Sequence, residues 1–320
     1  MSYSLLDLAK IHNGSAEVGI IDEVLRQAPE MQVIPSRVIQ GYNYKTLVRT
    51  GRPTTAFRDV NGGVVSSGST FELRETGLYV LGSAITVDKA IAMQTGGALP
   101  DIEMDHAEAA YQDALERIAT QFFRGVSADS KGFVGLQAMT PHTATAGTST
   151  QIVNAGGTTS GTMSSCYAVK LGLKNVHLVF GGNTTLQMSP FRDEFFSPAS
   201  GTGQVDGRVS ALTGWVGLQI GSIKDIGRIY NLTEDSGKGL TDALLAQLWA
   251  KFPPGHKPDA FFASTRSIRQ LQISRTVVIN SGPNGKPTGA YENVAPWPTE
   301  YMGIPIVESQ FIPDTDATNA

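Results

Sequence analysis

The stretch Asp101 to Arg124, DIEMDHAEAAYQDALERIATQFFR, constrains this chain more than any other. Met104, Ala107, Tyr111, Ala114, Leu115, Ile118 and Phe122 recur at three- and four-residue steps and so fall on one side of an α-helix. Pro100 stands where a first helical turn tolerates a missing N–H. Asp101, Glu103 and Asp105 load the N-terminal turns with negative charge, Arg117 and Arg124 put positive charge toward the other end, and Gly125 offers a left-handed stop. At 1.5 Å per residue this predicts a rod of roughly 36 Å with one apolar stripe. Such a rod needs a sheet to lie on.

The 320 residues suffice for two domains or one large one without covalent staples. Charged residues make up only 17%, low for a free monomer, which implies surfaces covered by neighbours. The net charge of −4 provides no basic footprint, so any contact with DNA is expected to be weak. The lone Cys166 excludes an intrachain disulfide and reads as a small buried hydrophobe in a reducing compartment. No charged leader with an apolar core and no membrane-length apolar run is present, so synthesis in the cytosol is expected.

Residues 1–30 carry a helical pattern with Leu5, Leu8 and Ile11 among more apolar groups than so short a stretch can bury alone. Residues 32–52, rich in β-branched and aromatic side chains, read either as an extended arm or as a peripheral strand. Residues 54–85 carry a hairpin signal, with Asn61-Gly62-Gly63 as its turn and Arg58, Glu72, Arg74 and Glu75 placing both charge signs on it. A long two-stranded projection with little core is marginal in water. It is therefore a candidate intersubunit arm, or else a plain surface hairpin. Leu5, Leu8, Ile11, Arg58, Asn61, Gly62, Gly63, Glu72, Arg74 and Glu75 are the candidate contact residues.

Val87 to Met93 predicts a short helix, Asn175 to Phe180 a strand, 183–213 a long polar connection, and Gly214 to Tyr230 two strands. An amphipathic helix is expected over Leu240 to Phe252, stopped by Pro253-Pro254-Gly255. A strand at Ala260 to Phe262, a short basic helix at Thr265 to Leu271 and a closing strand at Met302 to Val307, with Pro305 at an edge or bend, follow.

Chemistry is sparse. The five histidines share no metal-ligand spacing, and His177, inside an apolar strand, reads as a satisfied core or interface residue. GTGQVDG and SGPNGKPTG lack phosphate-loop spacing, and no GxSxG elbow occurs. Asp314 and Asp316 read as solvated tail residues. Neither catalytic residue, metal site nor cofactor is expected.

The order of elements, together with PTTAFRDVNGG at Pro53, VDKAIA at Val87, FRGVSADSKGFVGLQAM at Phe123, IGRIYNL at Ile226 and YMGIPIV at Tyr301, resembles the major capsid proteins of tailed bacteriophages, the Hong Kong 97 fold. The resemblance implies an α+β chain with an N-terminal arm at 1–50, an extended β-hairpin loop at 51–89, and a peripheral domain at 90–161 whose spine helix is 101–124. An axial domain at about 162–250 would follow, with 251–320 completing it and returning to the peripheral domain. It further implies hexamers and pentamers closing an icosahedral head around double-stranded DNA, with a scaffolding protein, a portal and possible decoration proteins as partners. The chain would assemble in the host cytoplasm and reside in the virion, without a membrane.

Some members of this family cross-link a hairpin lysine to an asparagine, and residues 54–88 contain no lysine, so a non-covalent shell is expected. The arm starts almost at Met1, which implies a separate scaffolding protein or none. An encapsulin-like nanocompartment shell and a soluble two-domain α/β enzyme with a dispersed site are the alternatives.

Overall fold

A computed structural model describes residues 28–90, 99–143, 145, 147–197, 203–275, 277–279, 291–293 and 295–318. The described chain enters through a helical turn, α1 (Glu30–Val33), and a short strand, β1 (Ser36–Val38). It runs out and back as β2 (Asn43–Gly51) and β3 (Thr70–Gly77) and turns into β4 (Tyr79–Asp88). The long helix α2 (Leu99–Arg124) and the turn α3 (Leu136–Met139) precede β5 (Ile152–Asn154), β6 (Ser164–Val169), β7 (Val176–Phe180), β8 (Gln187–Met188), β9 (Arg192–Phe196) and β10 (Val205–Ile220). Then come β11 (Ile226–Leu232), α4 (Asp242–Lys251), β12 (Ala260–Ala263) and α5 (Thr265–Arg275). The pairs β13 (Val277–Ile279) with β14 (Tyr291–Asn293) and β15 (Glu300–Tyr301) with β16 (Ile304–Glu308) complete the described elements.

Two sheets dominate. The first has the order β1-β7-β10-β4, with β8 and β9 also paired to the long β10. The second runs β15-β16-β12-β6-β11-β5. Its central strands are buried on both faces, which explains their continuous apolar text. In β12, Phe262 points into one core and Phe261 into the other, and in β6 Tyr167 and Cys166 divide the same way. Helices α4 and α5 cover the Phe261 side, where Leu245, Leu248 and Leu271 are buried. Thr241 caps α4 by accepting from the Leu244 N–H.

The other core is where the two sheets meet, and the C-terminal part of α2 fills it. Ile118, Ala119, Phe122 and Phe123 are buried there with Leu178, Phe180 and Val216 of the first sheet and Tyr167, Val169 and Phe262 of the second. Phe123 lies 5.6 Å from both the Tyr167 and Phe262 rings. The helix stops at Gly125, whose φ of 57° is left-handed and whose missing Cβ lets the Gly135 backbone pass against it. Gln121 donates its amide to the carbonyls of Phe133 (2.7 Å) and Asp129 (3.2 Å), folding the following loop back on the helix.

Several expectations are corrected. The hairpin pairs β2 with β3, so its first branch lies at 43–51, inside the stretch assigned to the arm, and not at 54–60. Asn61-Gly62-Gly63 does not join two long branches. It makes a local turn, with the Gly62 N–H on the Asp59 carbonyl at 2.9 Å, within the loop 52–69. Val87 and Asp88 close β4, which pairs with β10 and so lies outside the hairpin; residues 91–93 lie outside the described residues. The polar connection 183–213 holds β8, β9 and the start of β10. Nor do the sheets divide at 162 and 250: β7 to β10 join β4 in the first sheet, while β11, β12, β15 and β16 complete the second.

The tail is not solvated either. Asp316 exchanges backbone hydrogen bonds with Met163 and lies 3.8 Å from Arg228, a guanidinium buried on two bonds to the Ser165 hydroxyl. Asp314 accepts from Ser264 (2.7 Å) and pairs with Arg266 (3.4 Å). Arg228 and Asp316 are matched inside because a buried ion without a partner is costly.

Phe122→Ala, which empties the junction of both sheets, should lower the stability of the unassembled chain by about 3–5 kcal/mol in urea unfolding. Glu30 supplies a second test. Its carboxyl is fully buried on the Ser309 hydroxyl (3.1 Å), and burial pushes it up from 4.5 to about 7. Because the folded value is raised, its contribution is complete below 4.5 and is lost as pH rises through about 7. Glu30→Gln should flatten the fall in stability across that window, measured as urea midpoints against pH.

Candidate subunit interface

The hairpin has two unlike faces because its register is fixed. Tyr44 faces Thr76, Thr46 faces Arg74, and Val48 faces Glu72 on one side. Lys45 faces Glu75, Leu47 faces Leu73, and Arg49 faces Phe71 on the other. Side chains of directly paired residues share a face.

The first face meets the body at its base. Thr76 donates to the Gln219 side-chain carbonyl, the Gln219 amide donates to Thr46 at 3.0 Å, and the Leu78 N–H bonds the Tyr42 carbonyl at 3.3 Å. Tyr42 packs on Trp215 with ring centroids 4.5 Å apart. Gly217 is required here, since a Cβ would strike the Gly77 carbonyl and the Leu78 side chain.

The second face is covered by nothing in the described chain. Leu47 is 67% exposed, Leu73 55% and Phe71 52%, flanked by the Lys45–Glu75 ion pair at 2.8 Å and by Arg49 over the Phe71 ring at 5.3 Å. The loop 52–69 extends this apolar surface with exposed Phe57, Val60 and Val65. Contiguous apolar surface on a projection without its own core marks a contact site.

The predicted residues divide accordingly. Arg58 donates to the Gly62 carbonyl at 2.9 Å and Asn61 adopts a φ of 69°, so both shape the loop turn, beside an open Gly63. Glu72 and Arg74 pair at 3.6 Å on the body-facing side, and Glu75 lies on the outer face with Lys45. Leu5, Leu8 and Ile11 lie outside the described residues. Sequence reasoning missed Leu47, Phe71 and Leu73 as a set, although the alternation in 43–51 was there to be matched with 71–75. It also missed Lys45: the hairpin does carry a lysine, engaged with Glu75.

The spine helix leaves a second uncovered strip. Met104, 72% exposed, and Tyr111, 46% exposed, belong to the apolar stripe, yet are left uncovered where Ile118 and Phe122 further along it are buried. Ion pairs hold this end to the first sheet: Arg208 bonds Glu103 at 2.8 Å, and Asp193 sits within 3.4 Å of both Arg208 and Lys89. Hydrogen bonds from Lys89 draw the Asp193 carboxyl below its ordinary value. No cluster of His, Cys, Asp and Glu suited to a metal occurs among the described residues, and no described helix is long and apolar enough to cross a membrane.

The sequence model of the family Major capsid protein GP7 matches residues 14–317. The chain belongs to that family. A search of curated sequences finds no match. Among solved structures, a chain of bacteriophage Epsilon15, from its near-atomic cryo-EM structure, matches at 18% identity over 99% of this chain and 95% of that one, with a TM-score of 0.64. The bacteriophage JBD30 capsid matches at 12% identity over 96% and 99%, with a TM-score of 0.50. A chain of the holo-SrpI encapsulin complex from Synechococcus elongatus matches at 10% identity over 72% and 96%, at a TM-score of 0.47 that carries no weight. The fold is therefore the Hong Kong 97-like fold of phage capsids, and the protein is a major capsid protein, a structural component of the phage virion that assembles with copies of itself.

The outer hairpin face adds little to the subunit's own stability, because its cross-strand pairs are worth about 0.2–1 kcal/mol each. The double substitution Leu47→Thr with Leu73→Thr should move the unassembled chain's unfolding free energy by less than about 1 kcal/mol. A larger loss in urea unfolding would make this face part of the fold instead of a contact surface.

Proposed function

We propose that this major capsid protein assembles as hexamers and pentamers into an icosahedral head around double-stranded DNA, with the outer face of the hairpin laid on a neighbouring subunit. The observation that carries this reading is the Leu47–Leu73 and Phe71 surface, held out by the base contacts at Gln219 and Tyr42 and left uncovered by the described part of its own chain. In this reading the first sheet with the spine helix is the peripheral domain, and the second sheet with α4 and α5 is the axial domain at capsomer centres. The apolar residues Leu5, Leu8 and Ile11 belong to an N-terminal arm that reaches neighbours.

The protein's role is mechanical, and we assign it no catalytic step. Closed symmetry multiplies modest contacts into a stable shell. A net charge of −4 keeps the wall from gripping the genome strongly, so DNA contact is weak and non-specific. Assembly takes place in the host cytoplasm with a scaffolding protein and a portal, and any decoration protein is added after closure. The lock between subunits is non-covalent in this reading, since the return strand and loop, residues 54–88, carry no lysine.

Negative-stain electron microscopy of the protein alone and co-expressed with its neighbouring genes tests the reading. Closed shells of uniform size, or capsomers that close when the neighbours are supplied, are the expected result, and Leu47→Thr with Leu73→Thr should abolish closure. A discrete small oligomer under both conditions would overturn it.

A further inference from the structure

Among the described residues, His177 is the buried polar group of the first sheet whose environment is poorest in partners. It lies mid-strand in β7 with no exposed surface, and neither ring nitrogen makes a hydrogen bond of good geometry. A buried polar group left in this way is costly and calls for an explanation. What covers it is the hairpin: the Tyr44 ring of β2 stands edge-on over the imidazole, centroids 5.7 Å apart at 82°.

Its neighbour across the sheet completes the seat. His177 is paired in register with Gln219 of β10, which puts the two side chains on one face. Gln219 is the residue that holds both hairpin strands, through Thr46 and Thr76. One two-residue patch thus carries the base of the projection. Beside it a cleft of about 440 Å³ lies between β3 and the body, lined by Thr76, Val134, Met139, Leu218 and Gln219 itself.

We propose that the hairpin rests on a proton-sensitive seat, in which neutral His177 under Tyr44, with Gln219 under Thr46 and Thr76, holds it down, and a charge on His177 lets it lift. The strands packed against the imidazole disfavour that charge or are neutral, and only the Gly172 backbone favours it. Strand β1 brings Arg37, whose guanidinium donates to the Tyr44 hydroxyl at 2.6 Å; β2 brings the Tyr44 ring; β10 brings the uncharged Gln219. Burial first, and the Arg37 charge second, hold His177 below the ordinary histidine value, opposed only in part by the Gly172 backbone.

Lifting the hairpin returns the ring to water and restores its ordinary affinity for a proton. The lifted state therefore binds the proton more tightly, and acidification draws the population toward it. The sign follows from the depressed value: the seat's contribution is complete above the ordinary histidine range and is lost as pH falls through the lowered one. The seat lies within one chain, so it goes beyond the shell reading and stands or falls separately from it.

Amide hydrogen exchange of the full-length unassembled protein tests this at pH ~7.5 and ~5, with rates corrected for the chemical effect of pH. In the wild type, protection of residues 43–51 and 70–77 should fall severalfold on acidification, because the lifted ring binds a proton more tightly than the seated one. Strand β10 and the spine helix should keep their protection. His177→Phe, which keeps a ring under Tyr44 but cannot charge, should remove this dependence. Gln219→Leu should loosen the hairpin at both pH values and leave the ratio between them unchanged. A hairpin indifferent to pH in the wild type, or equally sensitive in His177→Phe, overturns the proposal. Should the phenylalanine variant fail to fold, deuterium exchange at the imidazole C2 position in the wild type decides: a His177 midpoint at or above that of the exposed His142 also overturns it.

Discussion

The structure depends on the burial of Phe122 and Phe123 where two sheets meet. Each sheet alone has an apolar face and nothing to put on it. The C-terminal turns of the spine helix bring two adjacent aromatic rings to the one place where Phe180 and Val216 of the first sheet approach Tyr167 and Phe262 of the second. Fully burying a side chain of that size is worth roughly 1.5–3 kcal/mol, and the neighbouring Ile118 and Ala119 add to it. The helix is thereby a fixed beam.

Burying the C-terminal end of this helix leaves the apolar stripe of its N-terminal half uncovered. Ion pairs from Glu103 to Arg208 hold it, but they do not cover Met104 or Tyr111. The hairpin has the same design. Its base is bonded to Gln219 and Tyr42, while its outer face and loop keep Leu47, Phe71, Leu73 and Phe57 in solvent. A monomer gains nothing from such surfaces. A subunit that assembles with copies of itself can use them as contact area, and a chain with so few charges is consistent with a shell.

The ends of the described chain are treated differently from the projections. Glu30 is drawn against Ser309, and Asp316 is zipped to Met163 beside the buried Arg228. These contacts join residues near its start and finish to the same body. Buried polar pairs add little net stability by comparison with apolar packing, but they punish any alternative seating of the strand that carries them. The tail is therefore registered as well as attached.

The sequence by itself determined the local elements and the family. The spine helix was legible because its apolar stripe, acidic start and Gly125 stop all agree, and α4 because its leucine face ends at two prolines. The phrases from Pro53 to Val307, in their order, were enough to place the chain among phage capsid proteins. Pairing was not legible. Residues 43–51 read as an arm, since nothing local distinguishes a strand that bonds to 70–77 from one that bonds to a neighbour, and the Asn61-Gly62-Gly63 turn drew the hairpin too short. Nor could the text show that Leu47, Leu73 and Phe71 share an exposed face, or that His177 and Gln219 share a buried one. Turn chemistry and periodicity are properties of consecutive residues. Register and burial depend on which distant strands meet, and that is decided only when the two sheets close on Phe122 and Phe123.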